Sequence, residues 1–314
     1  MIIAPENLSF SDKKFSMIIY GSPGVGKTTL ALSAPDPILL DFDRGISRVS
    51  ALHRKATSVC NTYEEVLADI NSPDMEAFQT VIIDTGGSFI TFLKDWAMRT
   101  KAGARTKTGD FNGLRGFGFV KAEFSSFTET LKTRLNKNVI YVFHSQETTD
   151  KDGNPVQRLM CEGATKNTVW TPCDFGGYVQ MLGGERDICF TPEQEFFAKG
   201  CHGIEGHWRI PRLKPTDRND FITRLFGQAK RNIAAETQAF APMREKYDLV
   251  MAEVTASVNS VDSIQTANEA AERLAAMEHA LTSRQEALSL LLAKTKKLGL
   301  RWNREAKSYE RIGA

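Results

Sequence analysis

Gly21-Ser22-Pro23-Gly24-Val25-Gly26-Lys27-Thr28 is the stretch whose residue types and spacing most directly imply chemistry. Its glycines let successive backbone N–H groups turn inward around phosphate oxygens, and a helix starting directly after it presents its positive end to the same charge. A lysine at 27 reaches the β- and γ-phosphates of a nucleoside triphosphate, and the Thr28 hydroxyl is a ligand for Mg²⁺. This assigns Gly21, Ser22, Gly24, Val25, Gly26, Lys27, Thr28 and Thr29 to the binding of Mg-ATP.

Two further groups of acids suit the same chemistry. Asp84 ends the apolar run Thr80-Val-Ile-Ile-Asp84 and is the natural second Mg²⁺ partner beside Thr28; the alternative is a helix-capping aspartate ahead of Thr85-Gly86-Gly87. In Leu40-Asp41-Phe42-Asp43, strand alternation puts both aspartates on one face and Phe42 on the other. One of them is suited to poise a water against the γ-phosphate, unless it serves only to bind Arg44 or cap the next turn.

Such residues need a rigid frame. Short continuous apolar runs at 17–20, 37–41, 80–84 and 138–143, separated by helix-compatible segments, predict buried parallel strands of an α/β sheet. Their polar residues fall at the carboxyl ends, where ligands bind in such sheets. At 314 residues the chain accommodates one large domain and a smaller one, at roughly 100–200 residues each. With 41% hydrophobic and 25% charged residues it has the composition of a soluble globular protein. A net charge of +2 announces neither nucleic acid nor membrane, so any such surface must be local. No apolar run reaches the ~18 residues of a membrane span, and residues 1–16 lack the apolar core of a secretory signal. The expectation is a cytoplasmic protein with no membrane partner.

The segments "GSPGVGKTTLALSAPDPILLDFDRG", "VIIDTGGSF" and "VIYVFHSQE" together resemble the core of RecA-like ATPases, and in short form the phage-encoded RecA-like ATP-binding proteins, including the Sak-type single-strand annealing ATPases. The resemblance covers about residues 10–230. It implies a RecA-like P-loop NTPase core of α/β class, with a mostly parallel sheet flanked by helices, and DNA-dependent ATP hydrolysis in recombination or annealing. Asp43 becomes the water-activating acid, where RecA itself has glutamate. His144 takes the γ-phosphate-sensing position with Gln146 beside it, or is simply satisfied by loop backbone.

In RecA-like proteins the segments after the second acid and after the sensor strand line the DNA groove. The first is here "MRTKAGARTKTGDFNGLRGFGF", carrying Arg99, Lys101, Arg105, Lys107 and Arg115 against Asp110, with Phe111, Phe117 and Phe119 between glycines. Read as a loop, it lets cations track a phosphate backbone while Phe117 and its neighbours stack on unpaired bases; the alternative is a solvated basic loop whose phenylalanines re-enter the core. The second, 145–171, has a tight turn at Asp152-Gly153-Asn154 and adds Lys151, Arg158 and Lys166. If subunits form a ring or filament, a cation of one reaches its neighbour's γ-phosphate. The resemblance suggests Lys199, with Arg209 and Arg212 as alternatives.

"YVQMLGG", "RDICFTP" and "HWRIPRL" predict short antiparallel additions to the sheet. The texture then turns to Ala, Glu, Leu and Lys, setting a domain of residues 1–232 against a helical region of 233–314. Three helices are expected there, with capping boxes at Thr266/Glu269 and Ser283/Glu286, for oligomerisation or for contact with DNA or a recombination partner protein. Its tail is locally basic, with Trp302 available for stacking. The five cysteines include no CxxC pair. Cys201-His202 and His207 gather metal-binding types, but zinc sites usually show paired short spacings, so reduced, buried thiols are expected. Two other functions stay open, a nucleotide-gated adaptor and a small-molecule kinase.

Overall fold

A computed structural model describes residues 9–162, 168–214 and 216–312. They fall into two units, residues 9–232 and residues 233–312.

The first unit is built on β1 (Ser16–Gly21), β2 (Pro37–Asp41), β3 (Ala56–Ser58), β4 (Thr80–Asp84), β5 (Asn138–Thr149), β6 (Pro155–Leu159), β7 (Phe175–Leu182), β8 (Glu185–Cys189) and β9 (His207–Arg209). The order is β3-β2-β4-β5-β1-β7-β8-β9, with β6 paired to β5. β3, β2, β4, β5, β1 and β7 run parallel, which is the RecA-like P-loop NTPase arrangement. Every residue of β1, β2 and β4 is buried, as expected of strands covered on both faces.

Alternation divides the core. Ile18, Tyr20, Leu40, Ile83 and Tyr141 pack with α2 (Tyr63–Ile70), α3 (Gly86–Thr100) and α4 (Gly113–Glu129), where Phe89, Phe124 and Phe127 are fully or almost fully buried. On the other face lie α1 (Lys27–Ala31) and the first turns of α5 (Phe221–Asn259), whose Phe226 ring sits 5.2 Å from Phe15.

β7 departs from the expected antiparallel pattern. It pairs parallel with β1, and β8 and β9 then add antiparallel. Beyond the pairing of Gly21 with His144, β5 continues to Thr149 and turns at 150–154 into β6, so this hairpin stands about 17 Å above the carboxyl edge of the sheet.

In the second unit Val254, Val258, Leu274 and Leu291 form a core with α6 (Ile264–Ala276) and α7 (Ser283–Lys297). The reciprocal cap of α6 is made by Ser263 and Thr266, one turn ahead of the expected Thr266/Glu269 box. Thr282 rather than Ser283 is the N-cap of α7. Beyond α7, β10 (Leu300–Asn303) and β11 (Ser308–Arg311) form a hairpin in which Trp302 packs edge-on to Tyr309.

Candidate nucleotide site

The loop between β1 and α1 turns at Gly24 and Gly26, with φ of 80° and 92°. Gly26 has a second reason to lack a side chain, since a Cβ there would lie 2.5 Å from Nη1 of Arg186 on β8. Lys27 is buried and its Nζ donates to the carbonyls of Gly21 and Ser22, at 3.0 and 2.8 Å. Thr28 Oγ1 donates to Asp84 Oδ2 at 2.5 Å, so the first turn of α1 meets the end of β4.

Burial pushes the Asp84 carboxyl up to about 6, against the Thr28 hydrogen bond and with the charges of Asp43 and Asp41 adding to the rise. Burial likewise pushes the Lys27 ammonium down to about 8, which Asp84 partly offsets. Each shift records a charge that lacks full solvation.

Asp41 and Asp43 both open into this cleft, with Phe42 turned into the core against Phe89 and Phe92. Their surroundings differ. The Asp41 oxygens accept from the backbone N–H groups of Gly45 and Ile46, at 2.8 and 2.9 Å, which fixes the following loop. Asp43 Oδ1 accepts from the hydroxyls of Ser88 and Thr85 at the start of α3, leaving this carboxylate facing the cleft on side-chain partners alone.

His144 Nδ1 lies 3.3 Å from Lys27 Nζ. Burial first, and then the Lys27 charge, lower its pKa, so the ring is neutral at pH 7. Gln146 lies beyond it on the extended part of β5, paired with Arg158 of β6. Two cations at the cleft escaped the sequence reading: Arg48 lines its mouth, and Arg186 stands against Gly26. Arg48 follows Asp43 closely enough for a short-loop argument to reach it. Arg186 is 160 residues away and carries no local signal.

The remaining candidates separate. The Lys199 Nζ donates to Cys173 O at 2.5 Å, and its backbone pairs with Gly176 near the amino ends of β1 and β7. That is the edge away from Lys27, with the ammonium already engaged. Arg209 and Arg212 instead bond Glu185 and the Gly184 carbonyl at the β7–β8 turn, on the same edge as the phosphate loop.

The basic segment is not one loop. Arg99 ends α3 and pairs with Glu64 at 2.7 Å, while Arg115 and Phe117 belong to the first turns of α4, capped by Asn112. Gly116 fits this helix because the ring of Phe111 occupies the place of its side chain. Phe111 and Phe117 contact each other, with Lys94 over both rings, and Phe119 packs on the core. Arg105 and Lys107 are exposed on the connecting turn, and Lys101 lies over Trp96. Since α3 starts just after the carboxyl end of β4 and its Arg99 reaches Glu64 in the first turn of α2, this turn lies toward the carboxyl edge of the sheet. Of the second segment, Lys151 lies in the β5–β6 turn and Arg158 on β6; Lys166 lies outside the described residues.

Residues 13–202 match the family model described as AAA domain. The chain belongs to the AAA domain family. The match spans β1 to the residues before β9 and so takes in the phosphate loop, Asp43, Asp84 and His144. Among solved structures, two that are similar to the chain have low identity to it. A KaiC-like protein from the hyperthermophilic archaeon Pyrococcus horikoshii is 12% identical, with 63% of this chain and 89% of that one covered and a TM-score of 0.36. The flagellar accessory protein FlaH from Methanocaldococcus jannaschii is 10% identical, over 55% and 75%, with a TM-score of 0.29. No curated protein matches the chain. Among the described residues, no helix is long and apolar enough to cross a membrane.

Proposed function

We propose that this protein is an ATP-hydrolysing ATPase acting on single-stranded DNA in phage-type recombination or annealing, of the Sak type, as a homo-oligomer in the host cytoplasm. The observation that carries the reading is the 2.5 Å contact between Thr28 and Asp84 beside a buried Lys27. A hydroxyl and a buried carboxylate held together, with the carboxyl pKa raised chiefly by burial, form the hard-oxygen donor set that suits Mg²⁺.

In this reading the backbone of residues 21–29 and the Lys27 ammonium hold the triphosphate, and Thr28 and Asp84 hold Mg²⁺. When bound, Mg²⁺ neutralises charge on the phosphate oxygens. Asp43, oriented by Ser88 and Thr85, accepts a proton from the attacking water. Neutral His144, next to Lys27, donates or accepts at the γ-phosphate end and links that end to β5, whose continuation is the β5–β6 hairpin. Arg209 and Arg212, rather than Lys199, are the cations offered to a neighbouring subunit.

The DNA part is supported by placement. The hairpin with Lys151 and Arg158 and the turn with Lys101, Arg105 and Lys107 both lie toward the carboxyl edge that carries the phosphate loop. The domain roles follow, with residues 1–232 as the ATPase and 233–314 for assembly or partner contact. The test is steady-state ATP hydrolysis with and without single-stranded DNA, with duplex DNA for comparison.

A nucleotide-gated adaptor is the second reading, favoured by an apolar groove of 440 Å³ in the second unit, lined by Leu274, Leu288, Leu291, Leu292 and Trp302. It requires ATP binding with hydrolysis indifferent to DNA.

A further inference from the structure

The β8–β9 pair builds a constellation that the nucleotide reading does not use. Cys189 pairs directly with His207 across the two strands, and Asp187 lies two residues before Cys189, so alternation puts all three side chains on one face. Glu193 joins them from the turn that follows β8. That turn is fixed by backbone bonds: Phe190 N–H donates to Gly206 O, Gly206 N–H to the Thr191 hydroxyl, and Glu193 N–H to Phe196 O.

The atoms that meet are ligand atoms. His207 Nε2 lies 2.7 Å from Glu193 Oε1, Cys189 Sγ lies 3.6 Å from the same oxygen, and all three lie within 4.8 Å of one another. Behind the ring, His207 Nδ1 is 2.7 Å from Oδ1 of Asp187, a carboxylate only 5% exposed. That carboxylate anchors the ring through Nδ1 and turns Nε2 toward Cys189 and Glu193. A buried carboxylate orienting a histidine whose other nitrogen faces a thiol and a second carboxylate is the outer-sphere arrangement of metal-binding histidines.

The geometry points to a transition-metal site on this sheet edge, held by Cys189 Sγ, Glu193 Oε1 and His207 Nε2 and oriented by Asp187. One nitrogen, one sulfur and one oxygen are the mixed, borderline-soft donor set of Zn²⁺, and three protein ligands leave a fourth position for water. Bond lengths of about 2.0–2.3 Å at tetrahedral angles put ligand atoms about 3.4–3.6 Å apart. The sulfur–oxygen separation already meets this. The nitrogen–oxygen separation must open by about 0.7 Å, a small rotation for two half-exposed side chains. Cys189 binds as thiolate and His207 through an unprotonated Nε2, the protons of both passing to solvent.

The other metal-like group among the described residues, Asp174, Cys201 and His202, is weaker, because Asp174 already accepts from Ser16 N–H and Lys13. His207 does not join Cys201 and His202, as the sequence spacing suggested, but pairs with a cysteine on the neighbouring strand. An ion here fastens the outer hairpin of the sheet, the same hairpin whose Arg186 stands against Gly26. Metal binding at this edge is independent of ATP hydrolysis.

The test uses the full chain, stripped of metal and titrated with Co²⁺ and then Zn²⁺ without nucleotide. The expected result is one Co²⁺ per chain with a thiolate-to-cobalt absorption band and the intense visible bands of tetrahedral coordination, displaced by one Zn²⁺. Cys189→Ser abolishes the thiolate band and Cys201→Ser leaves it. His207→Gln and Glu193→Gln, at exposed positions that leave folding intact, each weaken Zn²⁺ binding tenfold or more, and Asp187→Asn by about 10–100-fold. Zn²⁺ raises the melting temperature of the native chain by mass action and not that of His207→Gln. Absence of stoichiometric uptake, or a thiolate band that survives Cys189→Ser, overturns the site and leaves His207 as an ion-pair partner of the two carboxylates.

Discussion

Thr28 Oγ1 and Asp84 Oδ2 stand 2.5 Å apart, joining the start of α1 to the end of β4 across 56 residues of sequence. That contact keeps a carboxylate buried beside a buried lysine. A carboxyl pushed up to about 6 holds its proton more tightly in the folded chain than in the unfolded one. Its contribution to stability is therefore present at low pH and lost as pH rises from about 4 through 6. Without nucleotide or Mg²⁺, Asp84→Asn is expected to be more stable than the native chain at pH 7–8, by about 2–3 kcal/mol at most. The advantage shrinks to nothing near pH 4. Thermal melts across this range check it.

Asp43→Asn is expected to lower kcat by about 10²-fold or more while leaving ATP affinity within a few-fold, since the carboxylate is assigned to the proton and not to the phosphates. Ser88→Ala, which frees Asp43 without removing its charge, costs less. Separate measurements of kcat and of nucleotide Kd distinguish these effects.

Arg186→Ala is expected to weaken nucleotide binding about tenfold with kcat little changed, because the guanidinium stands against the phosphate loop at Gly26 and is not assigned to the attacking water. Gly26→Ala fails by a different route: its φ of 92° and the encroaching Arg186 distort the loop itself. Fluorescent-nucleotide titration of both variants checks this.

Charge reversal of Arg105 and Lys107, exposed on the turn between α3 and α4, is expected to abolish stimulation by single-stranded DNA and to lower the salt dependence of DNA binding by about two phosphate contacts, with basal hydrolysis unchanged. Phe117→Ala is expected to have the smaller effect on DNA, because its ring is engaged with Phe111 and Lys94.

Much of the frame was legible because its information is local. The strands at 17–20, 37–41, 80–84 and 138–143 announce themselves as apolar runs, and the phosphate loop sits in its strand–loop–helix context. Alternation also put Asp41 and Asp43 on one face. It gave no means to separate them, because the N–H groups of Gly45 and Ile46 that occupy Asp41 come from the fold of the next loop. Arg186 reaches Gly26 only through the parallel insertion of β7, set by a crossover that periodicity does not reveal. The 300–311 hairpin was hidden because its strands are short and polar, and the Cys189–His207 pair because strand register, not sequence spacing, brings it together.

The most direct measurement is steady-state ATP hydrolysis with and without single-stranded DNA, with Lys27→Ala as the blank and duplex DNA as the comparison. The account predicts Mg²⁺-dependent hydrolysis, stimulated by single strands more than by duplex and absent in the blank. ATP binding with hydrolysis indifferent to DNA would contradict it.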